Sequence, residues 1–95
     1  MKIRDFIWLE TVEEKIVRKH HVQPYEVQEV FYYHPLFRFM ERGERHGEDV
    51  YAVHGQTHSG RYLIVFFIHK TTGDALIISA RDMTTQEQKY YEKHV

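Results

Sequence analysis

Two arginines bracket one hairpin in this sequence. The run Gly60-Arg61-Tyr62-Leu63-Ile64-Val65-Phe66-Phe67-Ile68-His69 opens on Arg61, and after Thr71-Thr72-Gly73-Asp74 the run Leu76-Ile77-Ile78-Ser79-Ala80-Arg81 ends on Arg81. In an antiparallel pair the start of the first strand lies beside the end of the second, so two guanidinium groups would meet at the end away from the turn. Guanidinium stays charged and presents a planar fork of donors that matches phosphate oxygens. The chemistry expected of such a pair is stabilisation of a phosphate on which negative charge is building. The alternation of side chains sets a condition. If paired residue numbers sum to an even value, as with Leu63 opposite Arg81, both arginines project from one face; an odd sum separates them. The competing reading is an ordinary salt bridge to Asp49, Asp74 or Asp82.

Glu87, Lys89, Tyr90 and Tyr91 follow Arg81 closely and offer proton-transfer groups and a further cation at the same sheet end. Helical spacing puts Glu87 and Tyr91 on one face, and neighbouring cations would lower the pKa of Tyr91 and make it a usable base. Tyr91 reads equally well as a core anchor with a satisfied hydroxyl, and Tyr90 and Tyr91 cannot both face inward. His54 and His69 lie on expected strands and titrate in a useful range, with His54 nearer the arginine rim and His69 at the turn end. The chain has no His-Glu-x-x-His motif and no histidine pair alternating along a strand, so no metal site is expected. It also lacks a phosphate-cradling glycine loop and a Gly-x-Ser-x-Gly elbow.

The elements that must position these groups follow from periodicity. Lys2 to Leu9 reads as a short first strand or extended arm. Thr11-Val12-Glu13-Glu14 has the spacing of a capping box opening a helix whose last turn holds Arg18, Lys19 and His20. Gln23-Pro24 starts a second helix, with Val27, Val30, Phe31 and His34 on one stripe and Pro35 limiting it. Strands are expected at Leu36–Met40, Asp49–Gln56, Tyr62–His69 and Ala75–Arg81. The third of these is apolar on both faces and therefore central. Thr84 and Glu87 form a second capping box before a final helix. The expected fold class is α+β: an antiparallel sheet of about four to five strands, two N-terminal helices and one C-terminal helix.

A chain of 95 residues supports one domain, spanning residues 1–95, and a core that needs no staples. With no cysteine, disulfides and thiolate chemistry are excluded. The longest apolar run, Tyr62 to Ile68, is far short of the ~20 residues that span a bilayer, and the charged amino terminus lacks a signal-peptide core, so a soluble cytoplasmic protein is expected. A net charge of −1 argues against coating nucleic acid by bulk electrostatics, so any RNA contact must be local. Eight histidines leave a pH-responsive or metal-binding protein as a third class of function.

Taken together, Trp8, Lys19-His20 with Val22, the Glu26–Phe31 helix, Gly60-Arg61, Ile77-Ile78-Ser79-Ala80-Arg81 and Glu87 with Tyr91-Glu92 resemble the BrnT family of bacterial type II toxins. The resemblance covers almost the whole chain. It implies a RelE-like ribonuclease fold and a metal-independent endoribonuclease, without cofactor, that stops translation. It further implies a cognate antitoxin with a DNA-binding domain, through which the complex would touch DNA and repress its own operon. On the resemblance, Arg61, Arg81 and Tyr91 would be catalytic, and Lys19, His20, His54 and Lys89 would contact RNA. The chain departs from the family pattern at His21, where glycine is usual after Lys-His, at Val12 and Ile16, where basic or polar residues are frequent, and at Gln88, where arginine is frequent. These departures keep a second reading open: a catalytically weak or inactive domain that binds an antitoxin.

Overall fold

The computed structural model describes residues 1–95. Its elements are β1 (Phe6–Ile7), α1 (Glu10–His20), α2 (Pro24–Tyr32), β2 (Leu36–Glu41), β3 (Val50–Gln56), β4 (Tyr62–His69), β5 (Ala75–Asp82) and α3 (Thr85–His94). One five-stranded sheet runs in the order β1-β5-β4-β3-β2. The apolar strand β4 is central as its composition requires, and the meander β2 to β5 is antiparallel. The short arm β1 adds to β5 in parallel, which makes the sheet mixed. No helix is long and apolar enough to cross a membrane.

The two faces of the sheet are covered differently. Ile16 and Val22 from the α1 region and Val27, Val30 and Phe31 from α2 pack on Val53, Leu63, Val65, Phe67, Ile77 and Ala80, forming the main core. Docking of α2 is close enough that β3 carries Gly55 there, since a Cβ would meet the Val30 carbonyl oxygen and Cγ1 at 2.8 Å. On the opposite face lies α3, anchored by Tyr91, whose hydroxyl donates to the His34 carbonyl at 2.7 Å.

Local signals held at α3 and α2 and failed at α1. Thr84 accepts from the Glu87 N–H at 3.1 Å while Glu87 accepts from the Thr84 N–H at 2.8 Å, the expected reciprocal cap. Pro24 opens α2, and the Gln23 N–H donates to the Glu26 carboxylate at 2.9 Å. At α1 the expected cap at Thr11 does not form. The helix begins at Glu10 with Leu9 as its cap, so Thr11 already has helical backbone. His34, expected on the α2 stripe, lies past the end of that helix, exposed and with φ of 51°. The C-terminus of α1 is closed by backbone bonds from His21 N–H to the Val17 carbonyl and from Val22 N–H to the Ile16 carbonyl, each 3.1 Å. His21 therefore holds the left-handed conformation, φ 54°, that this double-bonded stop requires and that glycine adopts with least strain.

One irregularity decides the geometry of the hairpin. From the turn, His69 pairs Ala75, Ile68 pairs Leu76 and Phe67 pairs Ile77, all with even sums; beyond them Phe66 pairs Ser79, Ile64 pairs Arg81 and Leu63 pairs Asp82, with odd sums. Ile78 is the extra residue of a β-bulge. A single inserted residue exchanges the faces of everything downstream on that strand.

Candidate active site

The bulge separates the two arginines. Arg61 shares the side of Leu63 and Val65 and turns toward the helices, whereas Arg81, paired with Ile64, turns toward the α3 side. The expected shared phosphate clamp is not formed.

Arg61 is fully occupied where it sits. Its Nε donates to Asp82 Oδ1 at 2.7 Å and Nη2 to Asp82 Oδ2 at 3.2 Å; Nη1 donates to the His21 carbonyl at 2.7 Å and to Glu26 at 3.3 Å; Nη2 also donates to the His20 carbonyl at 2.9 Å. All five N–H donors of the guanidinium are thereby used. The two carbonyls belong to the end of α1, which has no intrahelical partners for them, and Glu26 belongs to the start of α2. Arg61 thus ties the end of one helix, the start of the next and the last residue of β5. Its charge lowers the pKa of Asp82, chiefly through their hydrogen bond.

Arg81 stands in different surroundings. Nη1 and Nη2 grip the Glu87 carboxylate at 2.7 and 2.9 Å, and Nη1 also reaches the Asp82 carbonyl at 3.1 Å. Its Nε–H and one Nη2 hydrogen remain unspent. The guanidinium lies 5.6 Å from the Phe66 ring centroid. Hydrogen bonding from Arg81 holds the Glu87 carboxyl down at about 2, so this carboxylate is a weak base at neutral pH. On the same face, one strand pair away, His54 opposes Ile64 and Leu36, and Arg38 opposes Ala52. The Arg38 guanidinium lies 4.8 Å above the Tyr90 ring, and the Tyr90 ring lies 5.5 Å from the His54 imidazole. His54 is 1% exposed, and its Nδ1 has no hydrogen-bond partner. Burial pushes its pKa down, so the imidazole is neutral at pH 7.

The remaining expected residues divide between the two sides. Tyr91 is 3% exposed, spends its hydroxyl on His34 and has its pKa raised by burial, the opposite of the shift a base would need. Lys89 is exposed on α3 and makes no ion pair. Lys19 and His20 occupy the last turn of α1, which lies with Arg61 on the helix side. His69 shares the Phe67 side near the turn and is removed from Arg81 by the bulge. No three histidine, aspartate or glutamate side chains converge as metal ligands would.

Sequence reasoning missed Arg38 and named Tyr90 only as one of four residues of the final helix that could serve the site. Alternation did mark Arg38, the one cation between Phe37 and Phe39 on a strand. Nothing local, however, could say that its face would meet Arg81, because that depends on pairing across four strands.

A search of curated proteins finds no match. The family model described as "Ribonuclease toxin, BrnT, of type II toxin-antitoxin system" matches residues 8–87, a span that holds Arg38, His54, Arg61, Arg81 and Glu87. The chain therefore belongs to the BrnT family of ribonuclease toxins, whose type II systems pair the toxin with an antitoxin.

Proposed function

We propose that this protein cleaves RNA without a metal ion, on the sheet face that carries Arg81, Arg38, His54 and Tyr90, and that its fold is of the RelE-like ribonuclease type. The observation that carries this reading is the gathering of two cations, a neutral imidazole and two aromatic rings on one face, while Arg61 is spent elsewhere. In the reaction a ribose 2′-OH attacks the adjacent phosphorus and gives up its proton, the bond from phosphorus to the 5′-oxygen breaks, and the departing 5′-oxygen takes up a proton from solvent. Arg81 and Arg38 neutralise the charge that accumulates on the non-bridging oxygens. Tyr90 turns from His54 to stack on a base, and the uncovered imidazole accepts the 2′-OH proton. Lys89 holds a flanking phosphate. Arg61 and Tyr91 serve the scaffold, and Lys19 and His20 make no RNA contact in this arrangement. The cytoplasm is the working compartment, and the antitoxin carries the DNA-binding domain through which the pair controls its operon.

The test is incubation of the purified chain with single-stranded RNA in excess chelator. Cleavage is expected to persist and to leave 2′,3′-cyclic phosphate ends. Arg81→Ala should lower the rate by about 10²–10³-fold. Loss of cleavage in chelator would refute metal independence, and an unimpaired Arg81→Ala would refute the role of Arg81. The bidentate Arg81–Glu87 pair favours one other reading, in which the neutralised cation leaves a domain that only binds its antitoxin. Intact RNA beside a tight complex would select it.

A further inference from the structure

The α3 face of the sheet is only half covered. Tyr90 and Tyr91 of α3 lie on His54 and Tyr62, at the end of the sheet where Arg81 meets Glu87. At the other end, β pairing aligns Ile7 with Leu76, Leu76 with Ile68, and Ile68 with Val50, one apolar row that crosses four strands. Phe66 and the bulged Ile78 form the row next to it. None of these six belongs to the main core, and Ile7 and Ile78 are 38% and 39% exposed. The other four are half-buried, and a contiguous apolar band left partly in water is a common mark of an interaction surface. On the side toward α3 the band is bordered by Arg38 and Arg81, and Arg38 has no carboxylate partner.

We infer that this bare half-face is the docking surface for an amphipathic helix of the antitoxin, with an apolar side on the Ile7–Val50 row and carboxylates along the flank that meets Arg38 and Arg81. The inference rests on family membership, which supplies a protein partner, and not on RNA cleavage. Three features select a helix of that character. Strands about 4.8 Å apart make the band roughly 15–20 Å long, the length of a helix of about 10–13 residues. The neighbouring half of the same face is already covered by a helix of ten residues, α3. The unpaired cation on the border calls for negative charge on the partner.

The experiment co-expresses the chain with the protein encoded by the adjoining gene and measures the affinity of that partner for Ile7→Glu, Ile78→Glu and, on the exposed side of α2, Tyr25→Glu. Thermal unfolding of each free variant confirms that it folds. The two band variants should weaken the complex by about tenfold or more, because each buries an unpaired carboxylate, while Tyr25→Glu should bind as the parent does. RNA cleavage by the free band variants should match the parent, which separates this inference from the assignment of the active site. The inference is overturned if both band variants bind normally, if Tyr25→Glu is the variant that weakens, or if the adjoining gene's product does not bind the parent chain. It is overturned equally if the free chain is a dimer that Ile78→Glu dissociates, since a second copy would then cover the band.

Discussion

Arg61 and Arg81 end neighbouring strands at one margin of the sheet, and their surroundings have almost nothing in common. Around Arg61, five donors meet two helix-terminal carbonyls and two carboxylates, so the guanidinium acts as a strut between α1, α2 and β5. Around Arg81 one carboxylate is gripped, aromatic surface lies alongside, and donors remain. Residue type does not separate the two. What separates them is whether helix ends, with their unsatisfied carbonyls, face the side chain; that is settled by one inserted residue, Ile78.

Placing a guanidinium on the helix side without the partners of Arg61 attacks the contrast most directly. Ala80, the neighbour of Arg81, pairs with Val65 on that side and is 0% exposed, so Ala80→Arg would drive an arginine into the main core. Burying the arginine there should cost more than about 5 kcal/mol, enough to abolish the cooperative transition in circular dichroism. Next in size, Arg61→Ala should lower stability by about 2–3 kcal/mol in urea titration, since it strands Glu26 and uncaps α1. Cleavage per folded molecule should remain. A catalytic defect with parental stability would reverse the assignment of strut and site.

A smaller effect concerns acid. Glu87 is held at about 2, below its ordinary value of 4.5, so its ion pair contributes stability that is complete above the unfolded value and is lost as pH falls through the folded one. The melting temperature should therefore fall between about pH 4.5 and 2, with a shallower fall in Glu87→Gln than in the parent. If the two acid profiles coincide, the Arg81–Glu87 pair does not form in solution. Smallest of all, His21→Gly should raise stability by about 0.5–1 kcal/mol, because glycine takes the left-handed turn without strain and the carbonyl that Arg61 holds is retained.

How legible the molecule was depended on the range of the interaction involved. The cap of α3 could be read from Thr84 and Glu87 because a reciprocal cap involves residues three apart. The Thr11 box had the same spacing and failed, since Leu9 could begin the helix earlier with its own carbonyl. His34 fitted the α2 stripe in spacing, but the helix stops at Tyr32 before reaching it. Arg81 was legible as a site candidate from its position at a strand end. Arg38 was not, because its meeting with Tyr90 joins β2 to α3 across the sheet.

By itself the sequence determined the α+β class, the central place of β4 and the second and third helices, which follow from periodicity, apolarity and local spacing, and it carried the resemblance to the family in its combined motifs. Tertiary structure alone decided that Arg61 would brace the helices and Arg81 would face the open side. Alternation fixes a side chain's face only once the register is known, and the register across β4 and β5 changes at a bulge whose residue, an isoleucine among isoleucines, carries no local mark.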